Sequence, residues 1–394
     1  MEKLAINGGK SVRKEKLWIL KPYFGKEETN AASRVIKSGI VEGGNKISEE
    51  FEEKLAKYLG VKHCIFLNSC TAALHLALIL TKSFNGELIS PTYTFTSTAM
   101  VGLHNKLNPI LADVEYETAN LDVNSFEEAI TKKTRAVMPM HFAGHACDMD
   151  RINKIAKENN IFVIEDAAHA IGASYKGKKL GAISDLGCFS FHGTKNLVCG
   201  EGGALVTNND IWAEKVHILK EKGTKKHFFA KEKDRLGRTF EAVSAGFSFI
   251  QSDILAAIAL EQLKKLDKMN GMRDSIAKYY NSKLSKLSLI KAPTIKEYAK
   301  TNWHLYMIKV PKEHKDFIIQ ALNKEGISAN IHYKPLHLHS LYNKLGYKKG
   351  DFPNAEKVFD TYVRLPLYPG MTKKDREDVV HAVDKVVTYI NEKF

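Results

Sequence analysis

Two residues stand out for the chemistry they could do together. Asp166 closes the apolar run in "FVIEDAAHA", and Lys195 follows 29 residues later in "CFSFHGTKNLVCGEGGALV". Each sits just past a run that reads as a buried strand. An Asp and a Lys at neighbouring strand ends form an ion pair in the simplest reading. They could also react. An amine among apolar and glycine residues has a lowered pKa and becomes a usable nucleophile and base. A carboxylate at the carboxyl end of a strand lies where open α/β sheets bind ligands, and both Glu165 and Asp166 qualify.

Two further stretches bear on the choice. "CIFLNSCTAALHLAL" passes from strand to helix through Asn68, Ser69, Cys70 and Thr71. A helix start rich in small polar residues is a ready phosphate site; it is also an ordinary N-cap. "SPTYTFTSTA" sets Tyr93 and Phe95 just after another strand. Rings there could stack on a flat cofactor or fill a core. A phosphate site, a stacking ring, a carboxylate and an amine together describe a pyridoxal phosphate site. The cofactor's aldehyde needs an amine for a Schiff base, and its pyridine nitrogen needs a carboxylate. The "GEGG" after Lys195 lets backbone pass close to such a group.

These residues need a scaffold. From about residue 50 to 210 short apolar runs ("CIFL", "GELIS", "NPILADV", "RAVMPMHF", "IFVIED", "LGCFSF") alternate with helical patterns. That alternation predicts a mostly parallel sheet covered on both faces. Residues 253–290 predict one long helix or two in tandem, with Leu255, Ala259, Leu263 and Leu266 on one face. Beyond them "HLYMIKV", "SANIHY" and "VRLPLYP" predict strands, and 314–325 and 373–392 predict helices. The fold class is therefore α/β. Residues 1–255 form a larger domain whose first 30 residues make an arm, and 256–394 a smaller α+β domain.

Composition excludes several classes. The 394 residues are 44% hydrophobic and 26% charged, a globular balance. No apolar run approaches the ~18 residues of a membrane span, and "MEKLAINGGKSVRKEK" lacks a signal-peptide core. Five cysteines without a CxxC pair suit the reduced thiols of a cytoplasmic protein. The net charge of +14 comes from scattered lysines with no nucleic-acid motif, so neither nucleic acid nor membrane is expected as partner. Attraction of an anionic substrate is the rival to a merely solvated surface. "HFAGHACDMD" offers His141, His145, Cys147, Asp148 and Asp150, but their spacing fits no standard structural metal site, and no metal is expected. His332, His337 and His339, around Pro335, suit a substrate-facing loop.

The segments "EDAAHA", "SFHGTKN", "GEGGALVTN", "SCTAALHLAL" and "HYKPLH" resemble the DegT-type sugar aminotransferases over roughly residues 20–390. The resemblance implies a pyridoxal-phosphate transferase of fold type I, with a seven-stranded sheet, acting as a homodimer with a shared active site. It implies that Lys195 holds the cofactor and moves a proton at the substrate carbon, and that Asp166 pairs with the pyridine nitrogen. His169, where many relatives carry Gln, is implied near the ring's phenolic oxygen, with Phe95 stacked on the ring. The backbone of Cys70 and Thr71 and the hydroxyl of Ser190 are implied to hold the phosphate, and His332 and Tyr333 to border the sugar. In "GFSFIQSD", Ser248 takes the place of an Asn that in relatives reaches the partner's phosphate, and Ile250 the place of an Arg. The implied reaction moves an amino group from glutamate to a keto carbon of a nucleotide-linked keto-deoxy sugar. "PTYTFTSTA" and "LGCFSFHGTKN" are most similar to relatives that aminate TDP-4-keto-6-deoxyglucose at carbon 4. "LAINGGKSVR" is more typical of relatives acting on an inosose, so such a ketone, or a small phosphorylated one, is the alternative. Relatives that dehydrate sugars carry His in place of the lysine, which Lys195 disfavours. A non-catalytic regulator is a lesser alternative, with no DNA-binding module appended.

Overall fold

Short apolar runs separated by turns build the centre of the molecule. In chain order the strands are β1 (His63–Leu67), β2 (Glu87–Pro91), β3 (Asn108–Ala112), β4 (Thr134–Val137), β5 (Phe162–Asp166), β6 (Ser174–Tyr175), β7 (Lys178–Lys179), β8 (Leu186–Ser190) and β9 (Gly203–Thr207). Seven of them form one sheet in the order β1-β9-β8-β5-β4-β2-β3. β9 runs antiparallel to β1 and β8, and the remaining pairs are parallel. The computed structural model describes residues 2–224 and 241–393. The sheet is the mostly parallel one the alternation predicts. β8 and β9 are buried at every position, as strands covered on both faces must be.

The covering helices are α1 (Lys26–Ser38), α2 (Lys46–Leu59), α3 (Cys70–Leu80), α4 (Ser97–His104), α5 (Val123–Glu128), α6 (Met149–Glu158) and α7 (Asp210–Lys220). α3, "CTAALHLALIL", is apolar nearly all round because sheet and neighbouring helices enclose it. It begins at Ser69, whose Oγ accepts the Ala72 N–H at 3.1 Å. Residues 253–284 form two tandem helices, α8 (Asp253–Lys264) and α9 (Leu266–Leu284), broken at Lys265. Among the described residues no helix is long and apolar enough to cross a membrane.

A second core lies beyond α8. β10 (Ala299–Lys300) pairs with the β6–β7 hairpin, and β11 (Tyr306–Lys309) pairs antiparallel with β12 (Tyr362–Leu365). α9, α10 (Lys312–Lys324) and the helix Lys373–Lys393 pack on this ribbon through Tyr280, Ile308, Ile318, Val363 and Val383. Leu4 and Leu17 join this cluster, whereas Ala256, Ala259, Leu260 and Met269 join the cluster around the large sheet. The amino-terminal segment is tied down by Glu325, which is fully buried. Its carboxylate accepts the N–H of Ala5 at 2.8 Å and of Val12 at 3.0 Å, and pairs with Lys385 at 3.0 Å. "SANIHY" does not become a strand. The Ser328 N–H donates to Leu17 O at 2.9 Å, so the amino-terminal segment takes the pairing a sheet neighbour would need. Only a single bridge, Asn330 to Arg364, touches β12.

Candidate active site

At the carboxyl ends of β1, β5 and β8 a cavity of about 360 Å³ opens. Its far wall is made by His304, His332, Tyr333 and Arg364, which follow α9 in the chain. Such a crevice is where open α/β sheets bind ligands. Strand alternation separates the two acidic candidates of β5. Glu165 turns away and is consumed by the fold: it accepts the N–H groups of Gly181, Ile183 and Ser184 at 2.7–2.8 Å and pairs with His141 at 3.0 Å. Asp166 turns into the cavity. The Thr98 hydroxyl donates to its Oδ2 at 2.7 Å and the Ala168 N–H to its Oδ1 at 3.1 Å. Burial raises its pKa, while Thr98, Ala168 and the charge of Lys195 pull it back.

Lys195 lies in a turn after β8, its N–H bonded to His192 O at 2.9 Å. It keeps some surface toward the cavity. Its amine nonetheless lies deep, and burial lowers its pKa to about 8 against the pull of Asp166. Among the described residues it has no ion-pair contact. The next residue, Asn196, steadies the turn. Its Nδ2 donates to Asn270 Oδ1 at 2.9 Å and Asn302 O at 3.0 Å, so its Oδ1 accepts from His304 Nδ1 at 3.0 Å.

The start of α3 forms another wall, with Ser69, Cys70 and Thr71 lining it. Ser69 caps Ala72, which leaves the first-turn N–H groups of Cys70 and Thr71 for a ligand. β9 presses against this corner: a Cβ on Gly203 would lie 2.4 Å from the Cys70 nitrogen. Ser190, at the end of β8, lines the same cavity. His169 is buried, and its Nε2 meets the Tyr333 hydroxyl at 3.1 Å. Its Nδ1 has no partner among the described residues. Burial, reinforced by Lys195 and His304, lowers its pKa far enough to keep it neutral. Of the two aromatics after β2, Tyr93 is core, its hydroxyl bonded to His332 O at 2.8 Å. Phe95 instead is 53% exposed at the cavity mouth, 6.0 Å from the Tyr333 ring.

The structure thus brings together Lys195, Asp166, His169, Cys70, Thr71, Phe95, Ser190, His332 and Tyr333. It does not bring Ser248 into this chain's cavity. Ser248 is exposed, and its carbonyl accepts from Asn68 Nδ2 at 3.4 Å. His337 and His339 also point elsewhere. His337 is buried between Thr92 and Glu356, and His339 bonds to Lys334 O. In "HFAGHACDMD", His141 serves Glu165 and Asp148 caps α6. Sequence reasoning missed Arg364, His304 and Asn196. A lone arginine inside the apolar "VRLPLYP" was the available signal for Arg364.

The sequence matches the DegT/DnrJ/EryC1/StrS aminotransferase family over residues 22–384. The chain belongs to this family. Protein MJ1066 of Methanocaldococcus jannaschii is 43% identical over 383 residues, covering 96% of this chain and 99% of that one. The spore coat polysaccharide biosynthesis protein SpsC of Bacillus subtilis is 38% identical over 373 residues, covering 93% and 96%. Among solved structures, Spr1654 of Streptococcus pneumoniae, designated a sugar aminotransferase, matches in its PMP form with a TM-score of 0.89 and 29% identity. The match covers 95% of this chain and all of the other, and the same protein is also known in a PLP form.

The protein is a pyridoxal-phosphate-dependent aminotransferase. Its own residues fit that cofactor: a deep amine without an ion pair among the described residues, a buried carboxylate, the buried His169 and an anion-ready helix start line one cavity. The family and the neighbours support sugar transamination as the reaction.

Proposed function

We propose that this aminotransferase moves an amino group from glutamate to carbon 4 of a nucleotide-linked keto-deoxy sugar, for amino-sugar biosynthesis. The observation that carries the reading is the shared cavity of Lys195 and Asp166, with the amine brought to a pKa of about 8 by burial. A relative engaged in polysaccharide biosynthesis supports a sugar acceptor.

When bound, the cofactor supplies an aldehyde that carries the amino group and a ring that stores electrons. Each chain residue has a task toward it. Lys195 attaches it and moves a proton at the reacting substrate carbon, for which an amine neutral near pH 8 is suited. Asp166, fixed by Thr98 and Ala168, holds the pyridine nitrogen's proton. Neutral His169, oriented by Tyr333, lies beside the ring oxygen. Phe95 offers an open ring face for stacking. The N–H groups of Cys70 and Thr71 and the Ser190 hydroxyl take the phosphate. His332 and Tyr333 border the sugar. In this reading Ser248, exposed on its own chain, acts in the partner subunit of a homodimer. We assign a cofactor-bearing domain to residues 1–255 and a smaller domain to 256–394; the separate core that gathers Ile276 to Ile390 supports a second domain, while Ala256 to Met269 pack with the first core and Leu4 and Leu17 with the second. Five unpaired cysteines support a cytoplasmic setting.

A screen of nucleotide keto-sugars with glutamate, read by mass, tests the reading. Amination of a 4-keto sugar is the expected result. Amination only of an inosose or a small phosphorylated ketone would replace the acceptor, and a protein gaining no visible band with cofactor would remove the site.

A further inference from the structure

One short segment of the far wall grips two of the residues given tasks above, and its own histidine has none. Asn302, Trp303 and His304 lie just before β11. Two side chains reach from there toward the sheet. Asn302 Nδ2 donates to His169 O and Ile171 O, both at 2.9 Å, and its Oδ1 accepts the His304 N–H at 3.0 Å. His304 Nδ1 lies 3.0 Å from Asn196 Oδ1, and its ring centroid lies 4.1 Å from that of His169. The turn that carries Lys195 and the turn that carries His169 are thus held by a single segment. His304 is 4% exposed and lines the cavity.

Hydrogen counting fixes the state of this histidine. The carbonyls of Ile171 and Asn302 can only accept. Asn270 Nδ2 must therefore face Ile171 O, at 3.2 Å, which turns its Oδ1 toward Asn196. Asn196 Nδ2 then spends its two hydrogens on Asn270 Oδ1 and Asn302 O. A flipped Asn196 would set its oxygen against two acceptors. Its Oδ1 is left to face His304, so the ring proton sits on Nδ1. Burial, then the charges of Lys195, Arg364 and, more weakly, Arg273 of α9, hold the His304 pKa well below its ordinary value, so the ring is neutral and that is its one N–H proton. A buried network in which every member is bonded is rigid, and a group that moves a proton tolerates little displacement. We propose that His304 is a positioning residue for the transamination, holding the Lys195 turn through Asn196 and setting the His169 ring by contact. In this role it acts through its neighbours and exchanges no proton with the reactants. Its kinetic consequence rests on the transamination reading; the hydrogen bond to Asn196 does not.

Two variants separate the bond from the ring. His304→Phe keeps a ring and removes the Nδ1–H, whereas His304→Asn keeps an N–H near that position and removes the ring. With cofactor loaded, the rate at which glutamate bleaches the visible band should fall about 10- to 100-fold in His304→Phe, while the glutamate concentration giving half the maximal rate stays the same. His304→Asn should recover part of the loss. Added to Asn196→Ala, the His304→Phe change should cost little more, because the two act as one unit. An unchanged rate in His304→Phe, a loss confined to the glutamate concentration needed, or full additivity with Asn196→Ala overturns the proposal. Nitrogen-15 NMR of the histidine-labelled, cofactor-free protein reads the bond without any variant's activity. The His304 signal, identified by its disappearance in either variant, should report the proton on Nδ1. A proton on Nε2 overturns the proposal whether or not the protein transaminates. Absence of the band from the unmodified protein would instead overturn the Lys195 reading, and the NMR arm would still decide on His304.

Discussion

Two of the buried places that hold charge in this molecule are built on opposite terms. Around Glu325 every demand is met. Two backbone N–H groups and the Lys385 amine converge on one carboxylate, and Lys385 also bonds to Lys10 O at 2.9 Å. Around the cavity the demands are left open. Lys195 and Arg364 lack an ion pair among the described residues, Arg273 has unpartnered nitrogens, and His169 has an orphaned Nδ1. Completed polar networks pin parts of a fold together, here the amino-terminal segment to the second core. Incomplete ones cost stability, and a fold keeps them where a ligand completes them.

The largest effect should fall on the open side. Lys195→Ala should lower turnover by at least about 10³-fold, because attachment and proton transfer go together. Steady-state assay on purified protein measures this, and retained turnover would make the unpaired amine an accident of packing. The same amine gives a pH signature. Its pKa near 8 lies below the usual 10.5, so raising the pH frees the nucleophile earlier than for an exposed lysine. Cofactor uptake by stripped protein should accelerate with pH and level off above about 8. A rise that continues to 10.5 would place Lys195 in water.

Next come two substitutions to methionine with opposite signs. Lys385→Met strands the Glu325 carboxylate and should cost about 3–5 kcal/mol. Arg273→Met removes a buried charge that has no ion pair among the described residues, and should leave the ligand-free protein about 1–4 kcal/mol more stable. Urea unfolding of both variants reads the comparison directly. Equal signs would erase the distinction between the two places.

How much of this was legible follows the same division. The sheet side was readable, because apolar runs reveal strands and the residues just past their carboxyl ends line the crevice. Lys195, Asp166 and Cys70 are local to such ends, as is Ser190, which was reached through resemblance. The opposite wall was not. Arg364, His304 and Asn196 come together only when β11, β12 and the Lys195 turn pack, and no local pattern records that. His332 was placed on a substrate-facing loop from its own segment and Tyr333 was reached through resemblance, and "SANIHY" was read as a strand because its competitor, the amino-terminal segment, lies more than 300 positions away in the chain. Glu165 and Asp166, adjacent and alike in sequence, were separated only by which face of β5 each occupies.

The smallest effect tests the corner where the two kinds of place touch. Ser69 belongs to the satisfied kind, since its Oγ caps the Ala72 N–H. The next two residues belong to the open kind, their first-turn N–H groups left for an anion. Ser69→Ala should therefore cost about 1 kcal/mol of stability, as for other lost N-caps, and change cofactor affinity little. Unfolding and cofactor titration measure the two quantities separately. A collapse of affinity with stability kept would move Ser69 across the divide, from a residue that finishes the helix to one that holds the ligand.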